Sequence, residues 1–144
     1  MGWLKNLGSR LVHALFGKKE IHSIIIKKQV LEKICGLARD AHPREFLAFV
    51  EGATRGHALI ITDIVFQSYV ANEMSALPRM DLPIINNVYG SVHSHPAGSN
   101  RPSIADTEFF AHHGAVHFII KAPYREMDLK CYDWRARERP FTVG

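Results

Sequence analysis

Ser91-Val92-His93-Ser94-His95-Pro96-Ala97-Gly98-Ser99-Asn100-Arg101-Pro102-Ser103-Ile104-Ala105-Asp106 is the stretch on which the reading of this chain turns. The residues before Pro96 end a strand-like region that begins at position 84. His93 and His95 are separated by one residue, so strand alternation points both to the same face with Cα atoms about 6.6 Å apart. Two imidazoles at that spacing can reach one ion at bond lengths of about 2.0–2.1 Å. The Pro, Gly and Ser residues that follow turn the chain back. Ser103-x-x-Asp106 then reads as a helix start, with Ser103 as N-cap and Asp106 and Glu108 favoured by the positive end of the helix dipole. Two histidines and one carboxylate leave the fourth tetrahedral position of a zinc ion to water, as in catalytic rather than closed structural sites. Each piece alone has an ordinary explanation, since most strand-end histidines bind nothing and capping accounts for Ser-x-x-Asp. Their succession at this separation gives them weight.

His93-Ser94-His95-Pro96, with Ser103 eight positions after His95 and Asp106 three further on, resembles the JAMM motif of the MPN+ metalloprotease family. Pro43-Arg44-Glu45-Phe46-Leu47-Ala48-Phe49-Val50-Glu51-Gly52 resembles that family's upstream strand, whose glutamate is the catalytic base. The likeness runs over residues 21–134. Ala48 stands where many members carry Gly, a small-for-small change. The long insertions of eukaryotic deubiquitinating members are short or absent, so the chain looks closest to compact archaeal and bacterial members.

The resemblance implies an α/β (α+β) MPN domain with a mixed curved sheet flanked by helices, of the cytidine deaminase-like kind. It implies one zinc ion per chain held by His93, His95 and Asp106, with Glu45 as proton-transferring base and Ser103 as hydrogen-bond donor to the oxyanion. The activity it implies is deubiquitinase-like hydrolysis of peptide or isopeptide bonds at the C-terminus of a ubiquitin-like modifier or sulfur-carrier protein. A homodimer is also implied. On the residues alone, Glu45 and Glu51 share a strand face and either can be a solvated charge; the resemblance selects Glu45. Ser94 faces away from the two histidines and is expected to have a supporting role.

Around this centre, residues 21–27 read as a strand and residues 30–41 as a helix with Leu31, Ile34, Cys35 and Ala38 on one face. Residues 46–51 and 59–66 read as a hairpin about a turn at Gly52–Gly56. Residues 67–81 read as a loop, 84–95 as a strand region and 103–113 as a short helix ended by Gly114; residues 115–121 and 128–134 read as the last two strands. This irregular interspersion predicts a mixed sheet with helices packed on it. His112 and His113 are expected to favour the helix C-terminus as cations. His13, His22, His42, His57 and His117 show no ligand spacing.

At 144 residues the chain has the length of one domain, here residues 20–144, preceded by an amphipathic basic helix over residues 1–19. Trp3, Leu7, Leu11 and Leu15 form the apolar stripe of that helix. It packs on this domain or a partner subunit, or lies on an anionic membrane surface. Arg10 and His13 break any signal-peptide core, and Asn6 stands where a myristoylation signal needs Ser or Thr. No apolar run reaches the roughly 18–20 residues of a bilayer span, so a soluble cytoplasmic protein is expected. The net charge of +4 is concentrated at the two ends, and only Tyr132 and Trp134 interleave aromatics with arginines, so no nucleic-acid partner is expected. Cys35 and Cys131 lack C-x-x-C spacing; they are two buried thiols, or a disulfide of the kind found in hyperthermophile cytosol. A zinc nucleoside deaminase needs His-x-Glu and Pro-Cys-x-x-Cys, and neither is present. A non-catalytic scaffold that keeps zinc for shape is the alternative reading.

Overall fold

The structure is a computed structural model and describes residues 20–66 and 87–144. The helix expected over residues 1–19, the loop expected over 67–81 and the first residues of the strand region expected from 84 lie outside the described residues.

Strand β1 (Ser23–Ile26) is short and alternates, with Ile24 and Ile26 buried. Helix α1 (Lys28–Ala41) follows, burying Val30, Leu31, Ile34, Cys35 and Ala38 along one stripe. That spacing makes the helix amphipathic and holds it across the sheet. Strands β2 (Leu47–Arg55) and β3 (Ala58–Val65) pair antiparallel as a hairpin. The turn lies at Gly56 and His57, not over Gly52–Gly56 as expected. Gly52 belongs to the strand, where the register shifts between Glu51 and Gly52 in a bulge. A Cβ on Gly52 would lie 2.6 Å from the Ile60 carbonyl oxygen, so this glycine serves close backbone approach. Gly56, at φ +61°, supplies the left-handed residue of the turn.

Strand β4 (Val88–His95), helix α2 (Ile104–Phe110) and strand β5 (Val116–Lys121) form a crossover unit in which β4 and β5 run parallel. Helix α2 is shorter than the 103–113 expected. At the start of β4, a Cβ on Gly90 would fall 1.5 Å from the Val116 carbonyl oxygen. Gly114, at φ +131°, lies equally close to Tyr89 and Gly90. Backbone meets backbone there, which fixes the β4–β5 register at the end opposite the histidines.

A 3₁₀ turn (Glu126–Asp128) leads into β6 (Leu129–Asp133), and two further short strands follow: β7 (Glu138–Arg139) and β8 (Thr142–Val143). The sheet order is β7-β6-β5-β4-β2-β3-β1-β8, mixed in direction, with β1–β3, β1–β8 and β4–β5 parallel. β7 and β8 occupy opposite edges, yet only Pro140 and Phe141 separate them. Three peptide steps span about 10 Å, whereas eight flat strands would put the edges about 33 Å apart. The sheet must therefore curl until its edges meet. Phe141 seals the junction edge-on to Phe118 at 5.8 Å. Arg139 donates from Nη2 to the Ile21 carbonyl at 2.9 Å. Arg137, itself exposed, donates from Nε to the buried Asp133 carboxylate at 2.9 Å. The main core joins α1 to the sheet, and a smaller cluster of Phe110, Ile119 and Tyr132 fastens α2 to β5 and β6.

Cys35 and Cys131 are both buried free thiols. Burial raises the pKa of each, that of Cys131 to about 12.

Candidate metal centre

His93 and His95 close strand β4 on the same face, and Asp106 faces them from the first turn of α2. His93 Nε2 lies 3.1 Å from His95 Nε2 and 3.1 Å from Asp106 Oδ1, and His95 Nε2 lies 3.2 Å from Asp106 Oδ2. Ligands bound tetrahedrally at about 2.0–2.1 Å sit about 3.3–3.4 Å from one another, so this triangle has the size of three corners around one zinc ion. The proton arrangement points the same way. His95 Nδ1 donates to the Ser99 carbonyl at 2.8 Å. A neutral imidazole so bonded turns a bare Nε2 lone pair toward the carboxylate, two acceptors face to face that a cation between them satisfies. The donor set therefore fits zinc.

Asp106 is held by a reciprocal capping box. The Ser103 hydroxyl oxygen accepts from the Asp106 amide at 3.0 Å, while Asp106 Oδ2 accepts from the Ser103 amide at 2.8 Å. Burial raises the Asp106 pKa, but hydrogen bonds from His93 and the Ser103 amide outweigh it and hold the carboxyl well below its ordinary range. Capping and metal ligation are thus compatible, because Oδ1 remains directed at His93.

The loop between the ligands is braced from behind. Asn100 is buried; its Nδ2 donates to the Asp128 carbonyl at 2.9 Å and its own carbonyl accepts from the Tyr132 hydroxyl at 2.7 Å. That brace holds the neighbouring Ser99 carbonyl against His95.

Leu47 pairs with His93 at the end of the antiparallel β2–β4 ladder, and Glu45, which is exposed, lies two residues before it. Continued alternation past Phe46 would bring Glu45 to the His95 end of β4 on the histidine face. Ser94 secures that step, donating from its amide to the Phe46 carbonyl at 3.1 Å and accepting from the Phe46 amide at its hydroxyl at 2.9 Å. This is the supporting role expected of it. Glu51 pairs with Val88 at the far end of β4, away from the histidines.

One buried histidine escaped the sequence reading. His117 is fully buried in β5, its ring stacked on Phe110 at 4.2 Å, and Phe110 in turn lies against His93 at 6.2 Å. The Gly114 carbonyl can only accept, so His117 Nε2 donates to it at 3.2 Å and Nδ1 accepts from the Ser91 hydroxyl at 2.7 Å. Burial lowers its pKa to about 3. The available signal was one histidine inside the apolar run 116–120. His113 also departs from expectation. It stacks on Phe109 at 4.0 Å and bonds the Phe109 carbonyl at 2.9 Å, and burial lowers its pKa, so it caps the turn as a neutral donor rather than a cation.

The chain is similar to known proteins over most of its length. Residues 27–136 match the model of the prokaryotic homologues of the JAB domain. A "Probable metalloprotease" of Haloferax volcanii is 31% identical over 137 residues, covering 90% of this chain and 83% of that protein. Among solved structures, one described as "JAMM: A Metalloprotease-like Zinc Site in the Proteasome and Signalosome" is 30% identical with TM-score 0.67, covering 85% of this chain and 98% of that one. A JAB1/MPN domain protein from Archaeoglobus fulgidus is 31% identical with TM-score 0.65, covering 82% and 96%. With the curled mixed sheet, the two described α-helices and the His-His-Asp cluster in view, the chain belongs to the JAB/MPN family in its prokaryotic, JAMM-bearing branch.

Proposed function

We propose that this protein is a zinc-dependent peptidase acting on the peptide or isopeptide bond at the C-terminus of a ubiquitin-like modifier or a sulfur-carrier protein. The observation that carries the reading is the convergence of His93 Nε2, His95 Nε2 and an Asp106 carboxylate oxygen within 4.8 Å of one another; Glu45, two residues before the Leu47–His93 pair, is the carboxylate the family likeness selects as base. Zinc held by these three residues supplies a Lewis acid and a water whose pKa falls to about 7. Glu45 takes the proton of the attacking water and delivers it to the departing amine. Among the described residues the Ser103 hydroxyl oxygen accepts from the Asp106 amide, and its proton has no acceptor. It can therefore donate to the developing oxyanion, an interaction worth about 3 kcal/mol. Family membership, together with a relative described as a probable metalloprotease, supports the hydrolytic reading. Buried free thiols fit a reducing cytoplasm as its place of action.

The test is incubation of the zinc-loaded protein with a ubiquitin-like or sulfur-carrier domain fused through its C-terminus to a reporter. Cleavage that a chelator stops and added zinc restores is expected. A zinc-loaded protein that cleaves no such fusion would favour the scaffold reading.

A further inference from the structure

A second polar constellation flanks the metal centre without contributing a ligand. His42, the residue that caps α1, shares a hydrogen bond of 2.7 Å between its Nδ1 and the Tyr124 hydroxyl, with the two rings edge-on at 5.6 Å. Arg39, in the last turn of α1, donates from Nη2 to the Tyr124 carbonyl at 3.1 Å. Tyr124 is 3% exposed and sits at φ +67°, a left-handed conformation that is unfavourable for a non-glycine residue. Such a conformation persists where its surroundings hold it, and here the end of α1 does so through two bonds.

Tyr124 also belongs to the segment that holds a metal ligand. Lys121 pairs with His95, and the Ala122 amide donates to the His95 carbonyl at 3.1 Å. Residues 122–124 thus connect the backbone of His95 to the C-terminus of α1. What leaves α1 is the span that carries Glu45. The Arg44 amide returns to the Ala41 carbonyl at 2.9 Å, and beyond Glu45 the backbone of Phe46 is gripped by Ser94. The span from His42 to Phe46 is therefore fastened at both ends, by Tyr124 on one side and Ser94 on the other. Burial first, and then the Glu45 charge, raise the pKa of the Tyr124 hydroxyl, which puts the carboxylate within electrostatic reach.

We propose that Tyr124, acting through its hydrogen bond to His42, is a positioning residue that sets where Glu45 lies over the metal centre. The inference rests on the zinc-peptidase reading, in which Glu45 is the base. Tyr124 touches neither substrate nor metal in this account; it fixes the span from which the carboxylate projects.

The test compares wild type with Tyr124→Phe, His42→Ala, His42→Gln and the double variant Tyr124→Phe/His42→Ala, all full-length and zinc-loaded. Phenylalanine keeps the ring and deletes one oxygen, so folding should survive. In Tyr124→Phe, about tenfold faster amide exchange is expected at Arg44 and unchanged protection at Phe46, with kcat down about tenfold and KM and zinc content unaltered. The double variant should be no slower than either Tyr124→Phe or His42→Ala, as two groups sharing one bond require, and His42→Gln should recover most of the rate. Unchanged Arg44 exchange, or kcat within twofold of wild type, overturns the proposal. So does faster exchange spread evenly over Arg44 and Phe46, the mark of a merely structural role. Should the zinc-loaded wild type cleave nothing, the peptidase reading fails on that result, and the exchange data still decide whether Tyr124 holds the span.

Discussion

Among the described residues, two pairs of histidine rings lie against each other, and one of the two pairs converges with a carboxylate. His22 and His57 stack with ring centroids 4.4 Å apart and planes 14° from parallel. His22 Nε2 approaches the Glu20 carboxylate at 3.3 Å, with side chains 58% and 84% exposed, and His57 Nδ1 bonds the Glu20 carbonyl at 3.0 Å. His93 and His95 have centroids 4.9 Å apart but planes tilted by 58°, and their side chains are only 9% and 16% exposed. Imidazole lone pairs lie in the ring plane. Nearly parallel rings direct them past one another, whereas tilted rings let them converge. Among the described residues, only His93, His95 and Asp106 bring three possible ligand atoms within 4.8 Å. Proximity and residue type are therefore not enough. Strand alternation, the Ser99 carbonyl on His95 and the capped Asp106 create the convergence.

The difference between the pairs can be broken most forcefully at the inner one. His93→Ala and Asp106→Ala should each take the zinc content from one ion per chain to near none and abolish cleavage, as elemental analysis and the fusion assay will show. Next in size, Glu45→Gln separates holding the metal from using it: zinc should stay, while kcat falls by about 10²–10⁴-fold. Full activity in that variant would remove the proposed base.

His117 sharpens the comparison from a third direction, since it is buried beneath the centre with both nitrogens already engaged. Its folded pKa of about 3 lies below the ordinary 6.5. The unfolded chain therefore takes up a proton at a pH where the folded chain does not. The stabilisation is present above about pH 6.5 and is lost as pH falls toward about 3, an effect on the order of a few kcal/mol. His117→Gln should flatten the fall in denaturant midpoint between pH 6.5 and 4.5, measured on metal-free protein so that zinc release does not contribute. His113, also lowered by burial, adds to the same window, so the slope should shrink rather than vanish. The smallest effect belongs to the outer pair. His57→Ala should leave zinc content unchanged and shift stability by less than about 0.5 kcal/mol.

What could be foreseen followed how local its cause was. The strand ending in His93-x-His95 and the Ser103-x-x-Asp106 start of α2 are written in adjacent residues, and both stand where expected. The choice between Glu45 and Glu51 needed the family likeness, because alternation puts both on one face and only the pairing of Leu47 with His93 distinguishes their ends of β4. The hairpin turn falls beyond Gly52 because that glycine is needed where the Ile60 carbonyl of the neighbouring strand comes close, a constraint no local pattern carries. Strands of two residues such as β7 and β8 have no periodicity to detect, and the curling of the sheet depends on them. The burial of His117 is not legible locally because Ser91, which completes its hydrogen bonds, lies 26 residues away.

The most direct test of the account is anomalous diffraction at the zinc edge from crystals of the zinc-loaded protein. It predicts one anomalous peak about 2.0–2.1 Å from His93 Nε2, His95 Nε2 and an Asp106 carboxylate oxygen, with water at the remaining position. Zinc located elsewhere, with those three side chains turned away from one another, would contradict it.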